Sequence, residues 1–351
     1  MGRVEATREP LLLDGSLHET IWGGQGLAIV GKRLPAGALV GESWETAVES
    51  VVREGAQLGR TLGELVDAWG EQLVGWRAHA IYGPRFPLLT KFIDAHEWLS
   101  VQVHPDDAYA ALHEGGKLGK TEMWLVLRAD PGARLAYGLK RAASPTEVRA
   151  AIAATRLEEL LCIFEPRPGD VVFVPAGTVH AIGGGILLYE LQEYSDVTYR
   201  LYDYGRIQAN GRPRELHVER ALDVMRFAPH APARVATPML PSVAASTTVQ
   251  RRILSACHYF VAEELQLAGS LSGATDPASC EILTVLSGSC AIQTAAGNWT
   301  LALGDTAVLP AALGPYMLAG REVRLVRAYV PREDDPALRI WRAAQPADPF
   351  A

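Results

Sequence analysis

Apolar and polar positions alternate over many short stretches: LAIVGKRL (27–34), FPLLTKFI (86–93), LSVQVH (99–104), EMWLVLRA (122–129), DVVFVPAG (170–177), ILLYELQE (186–193) and TYRLYDY (198–204). Strands of this length, with Gly and Pro between them, predict a sandwich or barrel. Helical periodicity is confined to TLGELVDAWGEQLVG (61–75), to DDAYAALHEG (106–115) behind an Asp cap, and to SPTEVRAAIAATRLEELL (144–161). The last opens with Ser144 as cap and Pro145 at the first helical position. These helices are expected to decorate a β core.

A proline-rich stretch without periodicity, FAPHAPARVATPMLPS (227–242), reads as a linker. Beyond it the strand and turn pattern resumes over 280–320, and GDTAVLPA (304–311) echoes GDVVFVPA (169–176) almost position for position. The chain therefore reads as two copies of a small barrel, 1–230 with the decorating helices and 231–351, the copy without the candidate metal ligands. The first copy runs on through GTVH to His180, whereas the second continues ALGPY and has no histidine there.

Composition narrows the function. In 351 residues, 48% hydrophobic and 21% charged, the net charge is −7 and no run of Lys or Arg could line a nucleic-acid groove or an anionic membrane. No apolar run approaches the length of a membrane span, and the N-terminus lacks a processing signal, so a soluble, cytoplasmic protein is expected. Cys162, Cys257, Cys280 and Cys290 form no CxxC pair and are expected to be free thiols. Lysine is scarce, yet Lys91, Lys117, Lys120 and Lys140 fall close together and none occurs in the last 200 residues. A chain that prefers arginine but keeps these lysines has a use for a compact ammonium.

Candidate chemistry begins at SVQVHPDD (100–107), where Gln102 and His104 share one strand face. Glu122 opens an otherwise apolar strand, and His180 follows a turn. Singly, each has an ordinary explanation: a hydrogen-bonded core histidine, or a solvated strand end. Together, two imidazoles, a carboxylate and an amide oxygen, spaced by 2, 18 and 58 residues, suit a divalent metal held by separate strands, with Zn²⁺ favoured. His18, His79, His113, His217, His230 and His258 are read as ordinary side chains, and His96 stands only slightly closer to the site. In YELQEYSDVTYRLYDYGR (189–206), Glu190, Asp196, Arg200 and Arg206 lie among aromatics. On charge pattern alone that is a salt-bridged surface hairpin; its closeness to His180 brings it near the proposed metal. Gly183, Gly184 and Gly185 lack the lysine and helix of a phosphate cradle and read as a loop.

These residues resemble type I phosphomannose isomerases in their short bacterial form. The likeness runs through IWGG (21–24), GESWE (41–45), FPLLTKFIDA (86–95), LSVQVHPDD (99–107), GKTEMW (119–124), GDVVFVPAGTVHAI (169–182), SDVTYRLYDYGR (195–206) and LHV (216–218). It implies a mainly β chain of two cupin-like (jelly-roll) barrels. The implied reaction interconverts mannose 6-phosphate and fructose 6-phosphate with one zinc. The implied zinc ligands are Gln102, His104, Glu122 and His180; the implied catalytic groups are Arg200, Lys120, Glu190 and Asp196. Ser100, Lys91 and Arg206 match phosphate-binding positions, with Arg206 standing where some longer relatives carry lysine. Gly119 stands where some longer members have histidine, so a role for that histidine in proton transfer does not carry over, and their extra helical domain is not found. A monomer or weak oligomer is expected. Moving hydrogen between C1 and C2 needs a base, for which Glu190, Asp196, Lys120 and zinc-bound water are all candidates. It also needs cationic stabilisation of an enediolate. Two alternatives stay open: a cupin metalloenzyme of another kind, and a non-catalytic sugar-binding cupin.

Overall fold

The structure is a computed structural model describing residues 8–208, 211–229, 234–240 and 249–345. His230 and parts of the 227–242 stretch lie outside the described residues.

The N-terminal barrel is made of two antiparallel sheets. One runs Val171–Val174, Glu122–Ala129, Ile186–Glu193, Leu88–Ala95, Val40–Trp44, Ser16–Gly24; the other runs Tyr199–Tyr202, Val101–Val103, His180–Ile182, Leu135–Leu139, Leu161–Phe164. Side chains from both, among them Ile93, Leu135, Trp124, Val174, Ile182 and Leu188, close on one core. The opposite face of the first sheet is equally apolar, and Phe92, Leu125, Phe173 and Tyr189 pack with Ile253, Ile282, Val308 and Val326 of the second barrel. Ile186–Glu193 is therefore buried at every position, and its run of apolar residues reflects two partners rather than one. The fold class is mainly β and cupin-like, as expected. No helix among the described residues is long and apolar enough to cross a membrane.

The second barrel repeats the order of the first sheet strand for strand: Thr306–Leu309, Glu281–Ser287, Pro315–Tyr329, Val261–Ala274, Val249–Ala256. Val174 pairs with Glu122 in one and Leu309 with Glu281 in the other, so the registers superpose. Glu42, Lys91 and Glu190 in the first barrel then correspond to Arg251, Glu263 and Arg327 in the second. Both trios are ion-paired, Lys91 at 3.4 and 3.5 Å from its carboxylates and Glu263 at 3.0 and 2.8 Å from its arginines, with the signs inverted. Sheet pairing crosses the 230/231 division. Leu11–Asp14 and Val51–Val52 extend the C-terminal sheet through Thr306–Leu309, and Arg53 grips Asp305 with two bonds of 2.6 Å.

Three local expectations need correction. The 27–34 stretch is not a strand: Gly26–Val30 is a short 3-10 helix with Leu27 and Val30 buried three apart, a spacing that strand alternation does not share. The 61–75 helix is broken. Leu62–Trp69 starts with a Thr61–Glu64 capping box, and Gly75, at φ +93°, packs against the backbone of Ala278 and Ser279 where a Cβ would collide. The third helix covers Pro145–Ala153, with a separate turn over Leu157–Leu160. Helices Trp76–Tyr82, Val218–Val224 and Pro336–Ala344 were not anticipated.

Candidate active site

His180 sits directly across from Gln102, and Arg200 is Gln102's partner on the other side, so three strands of the smaller sheet deliver three polar groups to one mouth. Glu122 arrives from the larger sheet at the start of its strand, pointing to the same interior as Trp124. His104, Glu122 and His180 are at most 1% exposed, and their ligating atoms all lie within 4.8 Å of one another.

Each imidazole is oriented by a carbonyl. His104 Nδ1 lies 2.8 Å from Val197 O and His180 Nδ1 lies 2.9 Å from Thr178 O, so each Nδ1 carries the proton and each Nε2 turns its lone pair inward, that of His104 toward Lys120 Nζ at 3.4 Å. Burial holds both rings below the ordinary histidine range; Lys120 and His180 push His104 well below it, while Glu122 partly opposes the shift of His180. The Nε2 atoms face Glu122 at 3.3 and 3.7 Å, acceptor against acceptor. Neither carboxylate oxygen accepts a well-formed hydrogen bond, although the Lys120 ammonium stands 2.5 Å from Oε1 as an ion contact. Two neutral nitrogen donors and a desolvated carboxylate converging in this way fit a divalent cation. Gln102 Nε2 is 3.3 Å from His180 Nε2 while Oε1 faces Ser100 Oγ at 3.3 Å; a half-turn of the amide would present oxygen as a fourth ligand.

The trio adjoins a cavity of 360 Å³, a size suited to a small ligand, lined by Gln102, Lys91, Lys120, Glu190, Arg200 and Ser100 among others. Glu190 is buried, accepts from Trp124 Nε1 at 2.9 Å and lies 3.5 Å from Lys91. Burial, helped by the charge of Glu122, raises its carboxyl above the usual range against the pull of Lys120 and Lys91. Burial alone would lower Lys91, but Glu42, Glu190 and Glu122 outweigh it and raise it. The ammonium is also pressed on the Trp44 ring at 4.4 Å. Asp196 stands at the rim, 59% exposed and paired with Lys117 at 2.6 Å. Arg200 donates to Ser100 Oγ at 3.2 Å and to Glu215 O at 2.9 Å.

Arg206 does not line the cavity; its guanidinium donates to Trp98 O and Asp203. Glu42, Trp44, Thr198, Gln208 and Arg214 do line it, and carried no role in the sequence reading. Glu42 and Trp44 alternate within GESWE as Gln102 and His104 do within QVHP, so that signal was present. His96 is exposed and outside the trio, and His217 backs the Arg200 strand, its Nδ1 accepting from Arg200 N–H at 3.3 Å.

The second barrel lacks this arrangement. Glu281, register partner of Glu122, accepts from the Tyr316 hydroxyl at 2.6 Å and faces Arg327 at 3.8 Å, so its carboxylate is met by protein donors and not by imidazoles. Among the described residues, His104, Glu122 and His180 are the one group with metal-ligand geometry.

A cupin-like barrel with a buried His2Glu trio that could hold a metal, beside a polar cavity of 360 Å³, defines a class of enzymes that act on small molecules. The comparisons with known proteins specify it. Residues 11–122 match the model for the type I phosphomannose isomerase catalytic domain. The chain is 39% identical over 317 residues to the mannose-6-phosphate isomerase of Streptococcus mutans, covering 89% of this chain and 96% of that one. It is 38% identical over 325 residues to that of Bacillus subtilis, with 90% and 97% covered. A Bacillus subtilis mannose 6-phosphate isomerase crystal structure superposes with a TM-score of 0.81 at 33% identity, over 91% of this chain and 99% of that one. A mannosephosphate isomerase structure from Archaeoglobus fulgidus, at 21% identity and a TM-score of 0.72 over 92% of this chain and 99% of that one, shares the fold. The chain belongs to the type I phosphomannose isomerase family and is an isomerase of that family.

Proposed function

We propose that the protein interconverts mannose 6-phosphate and fructose 6-phosphate by proton transfer through an enediolate, with one zinc per chain held by Gln102, His104, Glu122 and His180. The observation that carries this reading is the convergence of two carbonyl-oriented Nε2 atoms on the buried carboxylate of Glu122, beside the cavity. When bound, zinc would polarise the sugar oxygens and offset the charge of the enediolate.

Glu190 takes the proton moving between C1 and C2. Burial raises its carboxyl above the ordinary glutamate range, Trp124 donates to one oxygen at 2.9 Å, and the other faces only the Lys91 ammonium, at 3.5 Å. Lys91, locked between Glu42 and Glu190, sets the charge of that base. Lys120 balances Glu122. Arg200, tied through Ser100 toward Gln102, stabilises negative charge as it develops on the sugar. Asp196 stands at the exposed rim, where Lys117 engages its carboxylate at 2.6 Å. The phosphate points to the arginine end of the cavity. Recognition there, more than of the sugar, supplies the ground-state affinity, so free mannose should be a very poor substrate.

The test is a coupled assay on mannose 6-phosphate with metal analysis of the same preparation. Turnover with one zinc per chain is expected. Arg200→Ala, with zinc content unchanged, should lower kcat about 10²-fold. No turnover by the wild type would overturn the isomerase reading, and a variant with normal kcat and raised KM would make Arg200 a binding residue only.

A further inference from the structure

The segment after the Arg200 strand gathers two guanidiniums on one carboxylate. Asp203 accepts from Arg206 and, through both oxygens, from Arg214 Nε and Nη2 at 2.7 and 2.5 Å. Arg200 stands beside them, and the charges of Asp203 and Glu215 are set against the three guanidiniums. The net positive charge left suits a phosphate group.

The two arginines held by Asp203 differ in where they face. Arg206 spends one Nη on the carbonyl of Trp98 and the other on Asp203, and it does not reach the cavity. Arg214 lines the cavity together with Arg200, Ser100, Thr198 and Gln208, and its Nη1 is the nitrogen not given to Asp203. Burial, then the charge of Arg214, lower the affinity of Arg200 for its proton, and both guanidiniums line the one cavity. Contacts run outward from the trio through His180, Gln102, Ser100 and Arg200, and Arg214 lines the same cavity beside that series. A hexose with C1 and C2 at the trio carries its C6 phosphate toward the far end of that series.

We infer that Arg214 is the phosphate anchor of the substrate, held in place by Asp203, and that Arg206 is a positioning residue that ties the same segment to Trp98. The inference rests on the isomerase reading and divides labour between neighbouring arginines. Arg200 acts on developing charge and Arg214 on the group that does not react. Arg214 presents a rigid fork whose other edge is fixed by Asp203, so little side-chain freedom is lost when phosphate binds.

The test pairs steady-state kinetics on mannose 6-phosphate with calorimetric titration of inorganic phosphate into the metal-loaded protein. Arg214→Ala should raise KM about 10- to 100-fold, with kcat changed far less, the scale of one lost charge-assisted bond to an anion. The dissociation constant for inorganic phosphate should rise by a similar factor. Arg214→Lys keeps the charge without the fork and should fall between the two; it stands in if the alanine variant fails to fold. Phosphate binding as tight as wild type in Arg214→Lys and Arg214→Ala would overturn the assignment. So would a larger loss of phosphate affinity in Arg206→Ala than in Arg214→Ala, or a fall in kcat with KM unchanged. If the wild type binds phosphate through Arg214 yet does not turn over mannose 6-phosphate, the isomerase reading fails and the anion site stands.

Discussion

Replacing Glu122 with glutamine keeps the shape of a side chain that is 1% exposed and removes its charge. With zinc at about 100 times its dissociation constant, binding adds about 2.7 kcal/mol to the folded state. In a domain of 150 to 250 residues each kcal/mol moves Tm by about 2–4 °C, so zinc should raise the wild-type Tm by roughly 5–10 °C. Loss of a mere supporting contact to a metal ligand costs 10- to 100-fold in affinity, and loss of the only anionic ligand costs at least the upper figure, about 2.7 kcal/mol. The variant should show a zinc-induced rise below about 2 °C. Without metal the balance reverses. The amide N–H of the variant can donate to a Nε2 now facing an acceptor at 3.3 or 3.7 Å, worth about 1 kcal/mol, while the 2.5 Å contact with Lys120 is lost. The chelated forms should therefore melt within about 3 °C of each other. Differential scanning calorimetry with stoichiometric zinc and with chelator reads both quantities. Equal zinc shifts in wild type and variant would refute the ligand assignment, and a chelated variant that no longer folds would refute the view that the metal-free carboxylate is poorly satisfied.

Other outcomes follow from parts of the fold away from the trio. Burial alone would raise Asp305, but its bonds to Arg53 and Ala302 N–H outweigh it and hold it below the usual 3.8. Asp305→Asn should cost about 1 kcal/mol at pH 7, reduced by solvent around a half-buried pair. Because the folded value is depressed, the gap in Tm should be constant down to pH 5 and narrow only below about 4, as Asp305 becomes protonated; narrowing between pH 7 and 5 would contradict the pairing. A Cβ on Gly119 would lie 2.5 Å from Asp107 N and 2.6 Å from Asp106 C, so Gly119→Ala should lower stability by about 1–3 kcal/mol in chemical denaturation. A neutral result would show that the 106–107 backbone yields. Of the four thiols only Cys162 is exposed, and burial raises Cys257 and Cys280 to about 12 and Cys290 to about 11. One equivalent of an aromatic disulfide reagent should react with native protein at pH 8, and two or more would show that a buried thiol opens readily.

The strand Glu122–Ala129, the strand Ile186–Glu193 and the caps Asp106 and Ser144 were legible in the sequence, because alternation and capping are local properties of the chain. So were the clustering of His104, Glu122 and His180, whose polar side chains break apolar strands, and the duplication, which appears in GDVVFVPA and GDTAVLPA. Other features depended on which surfaces meet. That Leu11–Asp14 completes the second barrel, and that Ile186–Glu193 is buried on both faces, follow from packing between barrels, which no local period encodes. The inverted charge trio around Glu263 becomes visible only when two registers are superposed. Arg206 and Arg214 look alike as letters, both basic and both in a polar segment. A carbonyl of Trp98 and a shared Asp203 decide that one braces the loop while the other faces the cavity, since a guanidinium's role is set by which of its donors the fold has already satisfied.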